Sequence, residues 1–298
     1  MAQSPLVLTL VYAESGAEEL VGAACDSLRE LGADVGPVRW LADSKACDVD
    51  FSHASADEAE SAVRRDLCGL AVDLAVQQPE GRQKRLLVAD MESTVIRNEM
   101  LDELADFVGI RQQVQEITSR AMNNELDFRE ALDQRVALLR GLPISTLHEA
   151  LETIRFDPGA RSLVATSRAH GSYCALVSGG FTFFTDWVQD RVGFHEARAN
   201  VLEIEDGLLT GNVVPPILDR DAKLRALLEL CERLSIEPQD AVAVGDGAND
   251  LAMLQAAGMG VAFHGKQAVT EASRFRVDHG DLSSLLYFQG YGERQIHR

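Results

Sequence analysis

Apolar positions along this chain change their spacing several times, and each change marks an element. In the first part, residues 6–12, 34–41 and 47–51 are short apolar-rich runs of strand type. Residues 17–31 carry the spacing of an amphipathic helix, which Gly32 ends. A second helix is predicted over 56–66 and a last strand over 71–76, giving the order βαββαβ. That order predicts a small ferredoxin-like α+β domain over residues 1–80, and Pro79-Glu80-Gly81-Arg82 has the turn chemistry of a linker. Nothing in this part has catalytic spacing, so it is expected to support or regulate.

The second part, residues 84–298, opens on Leu86-Leu87-Val88-Ala89, a continuous apolar run that stops at Asp90. A parallel strand buried on both faces has this look, and the carboxyl end of such a strand is where an open α/β sheet binds ligands. Beyond it the period turns helical. Leu101, Leu104 and Val108 make one stripe, Val114, Ile117 and Ala121 a second, and Phe128, Leu132, Arg135 and Leu139 a third. Arg135 is the odd member: it either snorkels at the edge of its stripe or faces a buried anion.

After Phe156-Asp157-Pro158-Gly159 the pattern gives a helix at 160–169, a strand at 173–178, and a hairpin over 200–214 turning at Asp206-Gly207. A helix at 221–234, a strand at 241–245, a helix at 251–257 and a strand at 260–263 follow. Repeated strand-helix units predict a doubly wound parallel sheet, with the helical block at about 97–158 inserted after the first strand as a cap. The segment Leu286-Tyr287-Phe288-Gln289-Gly290 resembles a protease-tag remnant, but the helical pattern before it continues into it, which marks it as native.

A length of 298 residues with 46% apolar content suits one large domain and one smaller one. No uncharged apolar run is long enough to span a bilayer, and no Lys or Arg precedes the run at 6–12. A first strand rather than a secretory signal is therefore expected there, and a cytoplasmic location. The five cysteines lack metal-ligand spacing and are expected to be reduced thiols. A formal charge of −19 argues against nucleic acid and anionic membrane as partners. The basic cluster Arg82-Gln83-Lys84-Arg85 is short and is expected to be solvated linker. An anionic substrate would need local positive charge from a metal ion, lysine or arginine.

Three predicted strand ends carry polar residues: Asp90 with Glu92, Ser178-Gly179-Gly180-Phe181-Thr182, and Gly245-Asp246-Gly247-Ala248-Asn249-Asp250. Asp90, Glu92, Asp246 and Asp250 in one crevice would repel one another and require a cation. Oxygen donors with room for water and a phosphate oxygen suit Mg²⁺. Ser178 beside two glycines at a helix start offers a hydroxyl and free N–H groups to a phosphate. The glycines around Asp246 permit a sharp turn, but the third glycine and the ribose acid of a dinucleotide fingerprint are absent. Lys223, early in its helix, either is solvated or adds a fixed charge to phosphate.

Taken in order, Asp90-Met91-Glu92-Ser93-Thr94, Ser178, Lys223 and Gly245 to Asp250 resemble the four motifs of the haloacid-dehalogenase superfamily. Within it they are similar above all to the bacterial phosphoserine phosphatases. The likeness runs from Lys84 to the C-terminus, and Glu99, Met122, Phe128 and Arg135 stand where substrate-recognition residues would. The first domain resembles an ACT-like domain in architecture, and the resemblance admits a homodimer through it. It implies a Mg²⁺-dependent enzyme that hydrolyses O-phosphoserine, the last step of serine biosynthesis, through an aspartyl phosphate on Asp90. It further implies metal contacts from the Asp90 carboxylate, the Glu92 backbone carbonyl and Asp246, with Asp250 behind them. Ser178, Gly179, Gly180, Lys223 and Asn249 would surround the phosphoryl group, and Glu99 and Arg135 would pair with the substrate ammonium and carboxylate.

One residue departs from the pattern. The family has aspartate where this chain has Glu92, the residue that should protonate the departing serine oxygen and then deprotonate water. Two other functions stay open on the residues alone. One is hydrolysis or transfer of phosphate for another small metabolite, such as phosphohomoserine or a sugar. The other is an amino-acid sensor whose phosphatase module is weakened by Glu92.

Overall fold

The computed structural model describes residues 5–13, 17–122, 125–219 and 221–298. Strands β1 (Leu6–Tyr12), β2 (Asp34–Ala42), β3 (Ala46–Ser52) and β4 (Val72–Gln77) form an antiparallel sheet in the order β2-β3-β1-β4. Helices α1 (Ala17–Glu30) and α2 (Ala56–Asp66) cover one face. Strand alternation decides which face: Leu8, Leu10 and Tyr12 of β1 and Cys47, Val49 and Phe51 of β3 pack on Val21, Ala24, Leu28, Ala59 and Val63. A capping box between Ser55 and Glu58 starts α2.

The opposite face carries Thr9, Asp48 and Asp73, all buried. Buried polar groups need partners, and the second part of the chain supplies them. Arg82 donates to both carboxylate oxygens of Asp48, to Thr9 Oγ1 and to the carbonyls of Tyr287 and Phe288. Asp73 accepts from the backbone N–H groups of Asp278, His279 and Gly280 at 2.7, 3.2 and 2.7 Å. The expected solvated linker is therefore wrong at Arg82, which is 6% exposed. Packing the two units together buries the Asp48 carboxylate, and a buried anion needs a fixed cation beside it.

The second unit starts with β5 (Leu86–Ala89), followed by α3 (Met100–Phe107), α4 (Arg111–Met122), α5 (Phe128–Ala137) and α6 (Ile144–Leu151). Among the described residues this cap has one helix more than the stripes predicted. α6 buries Leu147, Ala150 and Leu151 at helical spacing. Next come α7 (Ala160–Ala169), β6 (Tyr173–Phe181), α8 (Thr182–Val192), and the hairpin β7 (Glu196–Glu205) and β8 (Leu208–Val214). α9 (Ala222–Leu234), β9 (Ala241–Gly245), α10 (Leu251–Ala256), β10 (Met259–Phe263), α11 (Gln267–Ala272), β11 (Phe275–Val277) and α12 (Ser284–Phe288) complete it. α12 buries Leu285, Leu286, Tyr287 and Phe288, so the segment that looks like a tag remnant belongs to the core.

The second sheet runs β11-β10-β9-β5-β6-β7-β8, parallel except for the β7–β8 hairpin, which is the doubly wound class expected. β5 lies between β9 and β6, so the chain order reverses at β5 and opens a crevice at its carboxyl end. All five cysteines are free. No helix among the described residues is long and apolar enough to cross a membrane.

Candidate active site

Register brings the predicted residues together. Ala89 of β5 pairs with Val244 of β9 and with Leu176 of β6, so Asp90 emerges level with Gly245-Asp246 on one side and Ser178 on the other. The Asp90 backbone N–H donates to the Val244 carbonyl at 3.0 Å, which extends the ladder one residue past the strand. Asp90 Oδ1 accepts from the Met91 N–H at 2.8 Å. Lys223 reaches in from the first turn of α9, 4% exposed, and its Nζ lies 2.7 Å from Asp90 Oδ1 and 2.5 Å from Asp250 Oδ1. Asp250 Oδ2 takes the Gly247 N–H at 2.9 Å, so both of its oxygens are engaged. Lys223 is thus buried against these carboxylates and not solvated.

The turn after β9 needs its glycines for space. A Cβ on Gly245 would lie 2.3 Å from Asp250 Cγ, and one on Gly247 would lie 2.4 Å from Asn249 Oδ1. Ser178 Oγ accepts from the Gly180 N–H at 2.9 Å. The strand continues through both glycines to Phe181, so the helix starts at Thr182 and not at the glycine pair as the sequence suggested. A β-bulge between Val177 and Phe181 turns this segment out of register with β7. Asn200 of β7, fully buried, donates to the Gly179 carbonyl at 2.8 Å and accepts from the Leu218 N–H, which fixes the Gly179 peptide. Sequence reasoning missed Asn200, because in a strand that also carries Glu196, Arg198, Glu203 and Glu205 one more polar residue is no signal.

Three acids and one lysine leave an excess of negative charge. Burial, and then repulsion from Asp250, pushes the Asp90 carboxyl far above the usual carboxylate range. Burial and the nearby Glu99 do the same to Glu92. Asp246 is raised to about 6 by burial and Asp250. Burial would pull the Lys223 ammonium down, but Asp90 and Asp250 outweigh it and hold it above its ordinary value. Carboxylate oxygens of Asp90, Asp246 and Asp250 lie within 4.8 Å of one another. All-oxygen donors with uncompensated charge fit a hard divalent cation such as Mg²⁺.

Beside this cluster is a cavity of about 610 Å³ between the sheet and the cap, lined by Glu92, Glu99, Phe128, Arg135, Gly179, Gly180 and Asn249. Arg135 therefore does not snorkel. Its Nε donates to the Ala131 carbonyl at 3.1 Å, leaving the rest of the guanidinium for the cavity. Met122 ends α4, and its side chain lies outside the described residues. Glu92 Oε1 accepts from the Met100 N–H at the start of α3 at 2.8 Å. Its Oε2 would be 2.9 Å from a Cβ on Gly180, which places it beside the Ser178-Gly180 segment. Ser93, given no role from the sequence, donates to Glu99 Oε1 at 2.7 Å.

Comparison with known proteins points the same way. The sequence model of the haloacid dehalogenase-like hydrolase family matches residues 87–255. A phosphoserine phosphatase of Polaromonas sp. is 44% identical over 224 residues, covering 73% of this chain and 95% of that protein. The crystal structure of a probable phosphoserine phosphatase from Vibrio cholerae aligns with a TM-score of 0.77 at 30% identity, covering 98% of this chain and 88% of that one. A structure described as a phospho-aspartyl intermediate analogue of phosphoserine phosphatase aligns with a TM-score of 0.64 at 35% identity, covering 69% of this chain and 99% of that one.

Proposed function

The chain belongs to the haloacid dehalogenase-like hydrolase family, and from that premise we propose a Mg²⁺-dependent phosphoserine phosphatase in which Asp90 takes the phosphoryl group covalently. The observation that carries the reading is the gathering of Asp90, Asp246 and Asp250 from two strand ends, close in sequence to Glu92 and Asn249, which line a cavity together with Glu99 and Arg135. The Asp90 carboxylate, the Glu92 carbonyl and Asp246 would hold the ion, and Asp250, already occupied by Lys223 and Gly247, would support them from behind. When bound, Mg²⁺ screens the carboxylates and draws charge from the phosphoryl oxygens.

The residues of the chain then divide the reaction between them. Arg135 pairs with the substrate carboxylate and Glu99 with its ammonium, which fixes the ester oxygen toward Glu92. Phe128 packs against the carbon skeleton. An Asp90 carboxylate oxygen bonds to phosphorus as the bond from phosphorus to the serine oxygen breaks, and Glu92 gives that oxygen its proton. Lys223, Ser178 and the Gly179 N–H hold the negative phosphoryl oxygens, with Gly180 and Asn249 at the rim. Glu92, now a carboxylate, takes a proton from water as the water oxygen bonds to phosphorus and the bond to Asp90 breaks. Phosphate and serine leave, and Glu92 again carries its proton.

The test is phosphate release from O-phosphoserine with and without Mg²⁺, in the wild type and in D90N. Release that needs Mg²⁺ and vanishes in D90N supports the reading. Release unaffected by D90N overturns it, and a substrate panel in which phosphoserine ranks among the poorest shifts the substrate to another small phosphomonoester.

A further inference from the structure

Glu99 occupies the N-cap position of α3, yet its side chain makes no cap hydrogen bond. A carboxylate at a helix start ordinarily turns back onto the free N–H groups of the first turn. Here the Met100 N–H is taken by Glu92 instead, and Glu99 is drawn the other way, onto Ser93 Oγ at 2.7 Å. That is the one hydrogen bond its carboxylate makes among the described residues. We propose that Ser93 is a positioning residue that sets specificity for the substrate ammonium by holding Glu99 in its receiving orientation. The proposal rests on the phosphoserine reading above.

The backbone fixes the donor. Ser93 has φ of 54°, in the left-handed region that a residue with a side chain seldom enters. Around it the N–H groups of Thr94, Val95 and Ile96 all point to the Met91 carbonyl, at 3.4, 2.9 and 2.9 Å. The turn after the nucleophile is therefore tight, and the direction of the Ser93 hydroxyl follows from it. Glu99 by contrast is exposed and attached only through its own helix end, so without an anchor its long side chain would sample many rotamers. Ordering it before the substrate arrives removes that cost from binding.

The kind of donor matters as much as its place. A lysine or arginine at this position would neutralise Glu99 and compete with the ammonium of the substrate. A hydroxyl orients Oε1 and leaves the charge intact, and Oε2 remains for the ligand.

The experiment compares O-phosphoserine with 3-phosphooxypropanoate, the same molecule with hydrogen in place of the amine. Steady-state constants are measured with Mg²⁺ for the full chain, S93A, S93G, E99Q and the double variant S93A/E99Q. S93G adopts the left-handed turn without strain, so agreement between S93A and S93G assigns the effect to the hydroxyl. The expected result is a fall of about five- to tenfold in the preference for phosphoserine, carried by KM, in both Ser93 variants. In the E99Q background removal of Ser93 changes the preference no further. Equal losses on both substrates would show a merely structural role and overturn the proposal, as would an unchanged preference. A wild-type enzyme without preference for the amino compound would instead remove the phosphoserine reading, and this proposal with it.

Discussion

Exchanging Glu92 for glutamine and for aspartate separates the Met100 contact from the proton transfer proposed for the same side chain. One oxygen accepts the Met100 N–H at 2.8 Å and joins the turn after Asp90 to the cap helix α3; the other lies beside Gly180. E92Q keeps an oxygen for Met100 but carries no titratable proton. General acid–base assistance is worth about 10²- to 10⁴-fold, so its kcat should fall by at least about a hundredfold. E92D keeps the proton on an arm shorter by one carbon–carbon bond, about 1.5 Å. That exceeds the slack of a hydrogen bond, so the Met100 contact goes, at about 0.5–1.5 kcal/mol, while turnover stays within about tenfold of wild type. The assay is phosphate release from phosphoserine, joined to a stopped-flow trace with p-nitrophenyl phosphate. That leaving group departs without a proton, so E92Q should release one equivalent of nitrophenol in a burst and then slow, stalled at the phosphorylated Asp90. Equal turnover by all three proteins, or E92D as slow as E92Q, would take Glu92 out of proton transfer.

Three further outcomes follow from the same geometry. Without metal, burial and mutual repulsion raise Asp90 and Glu92 to about 8 and Asp246 to about 6. A raised carboxyl contributes fully to stability below its unfolded pKa of about 4 and loses that contribution as pH climbs through its folded value. Metal-free stability should therefore decline from about pH 4 to about pH 8, and the Tm gain from Mg²⁺ should grow over that window as the ion displaces protons; a larger gain at pH 5 than at pH 8 contradicts this. R82M strips Asp48 of its buried cation and leaves the Thr9 hydroxyl and Arg39, the latter 3.0 Å away and half exposed, so unfolding free energy should drop by about 3 kcal/mol. An unchanged denaturation midpoint would show that the joint between the two units does not depend on this pair. G180A places a carbon 2.9 Å from Glu92 Oε2 and 3.1 Å from Ser178 Oγ. It should cost at least about tenfold in kcat with little change in Tm, since the clash displaces catalytic groups and not core packing.

What could be seen in the sequence, and what could not, divides along physical lines. Leu86 to Ala89 are all buried, as an unbroken apolar run requires, and the acid that ends the run is the one at the crevice. The same logic located Ser178 and Asp246, because β6 and β9 flank β5 and their tips are level with it. Arg135 was legible as an exception to its own stripe. The two sheets and the insertion of the cap followed from periodicity alone. α6 escaped because its stripe is only two turns long and follows Pro143.

Thr9, Asp48 and Asp73 were illegible for a different reason. On a strand, a polar residue alternating with apolar ones has the same pattern whether that face meets water or another unit with matched donors. Arg82, the partner of Asp48, is the last residue of the predicted linker, and no spacing links the two. The contacts of Glu92 with Met100 and of Ser93 with Glu99 share that character: they join a turn to a helix end, and their geometry depends on how the cap sits. They also change how the Glu92 departure is understood. A longer acid is out of place when only the distance to substrate is considered. With Met100 as a second partner, the added methylene lets one carboxyl touch the cap and lie beside the Ser178-Gly180 segment together, so in the proposed mechanism the position of the cap and the readiness of the proton donor are set by the same side chain.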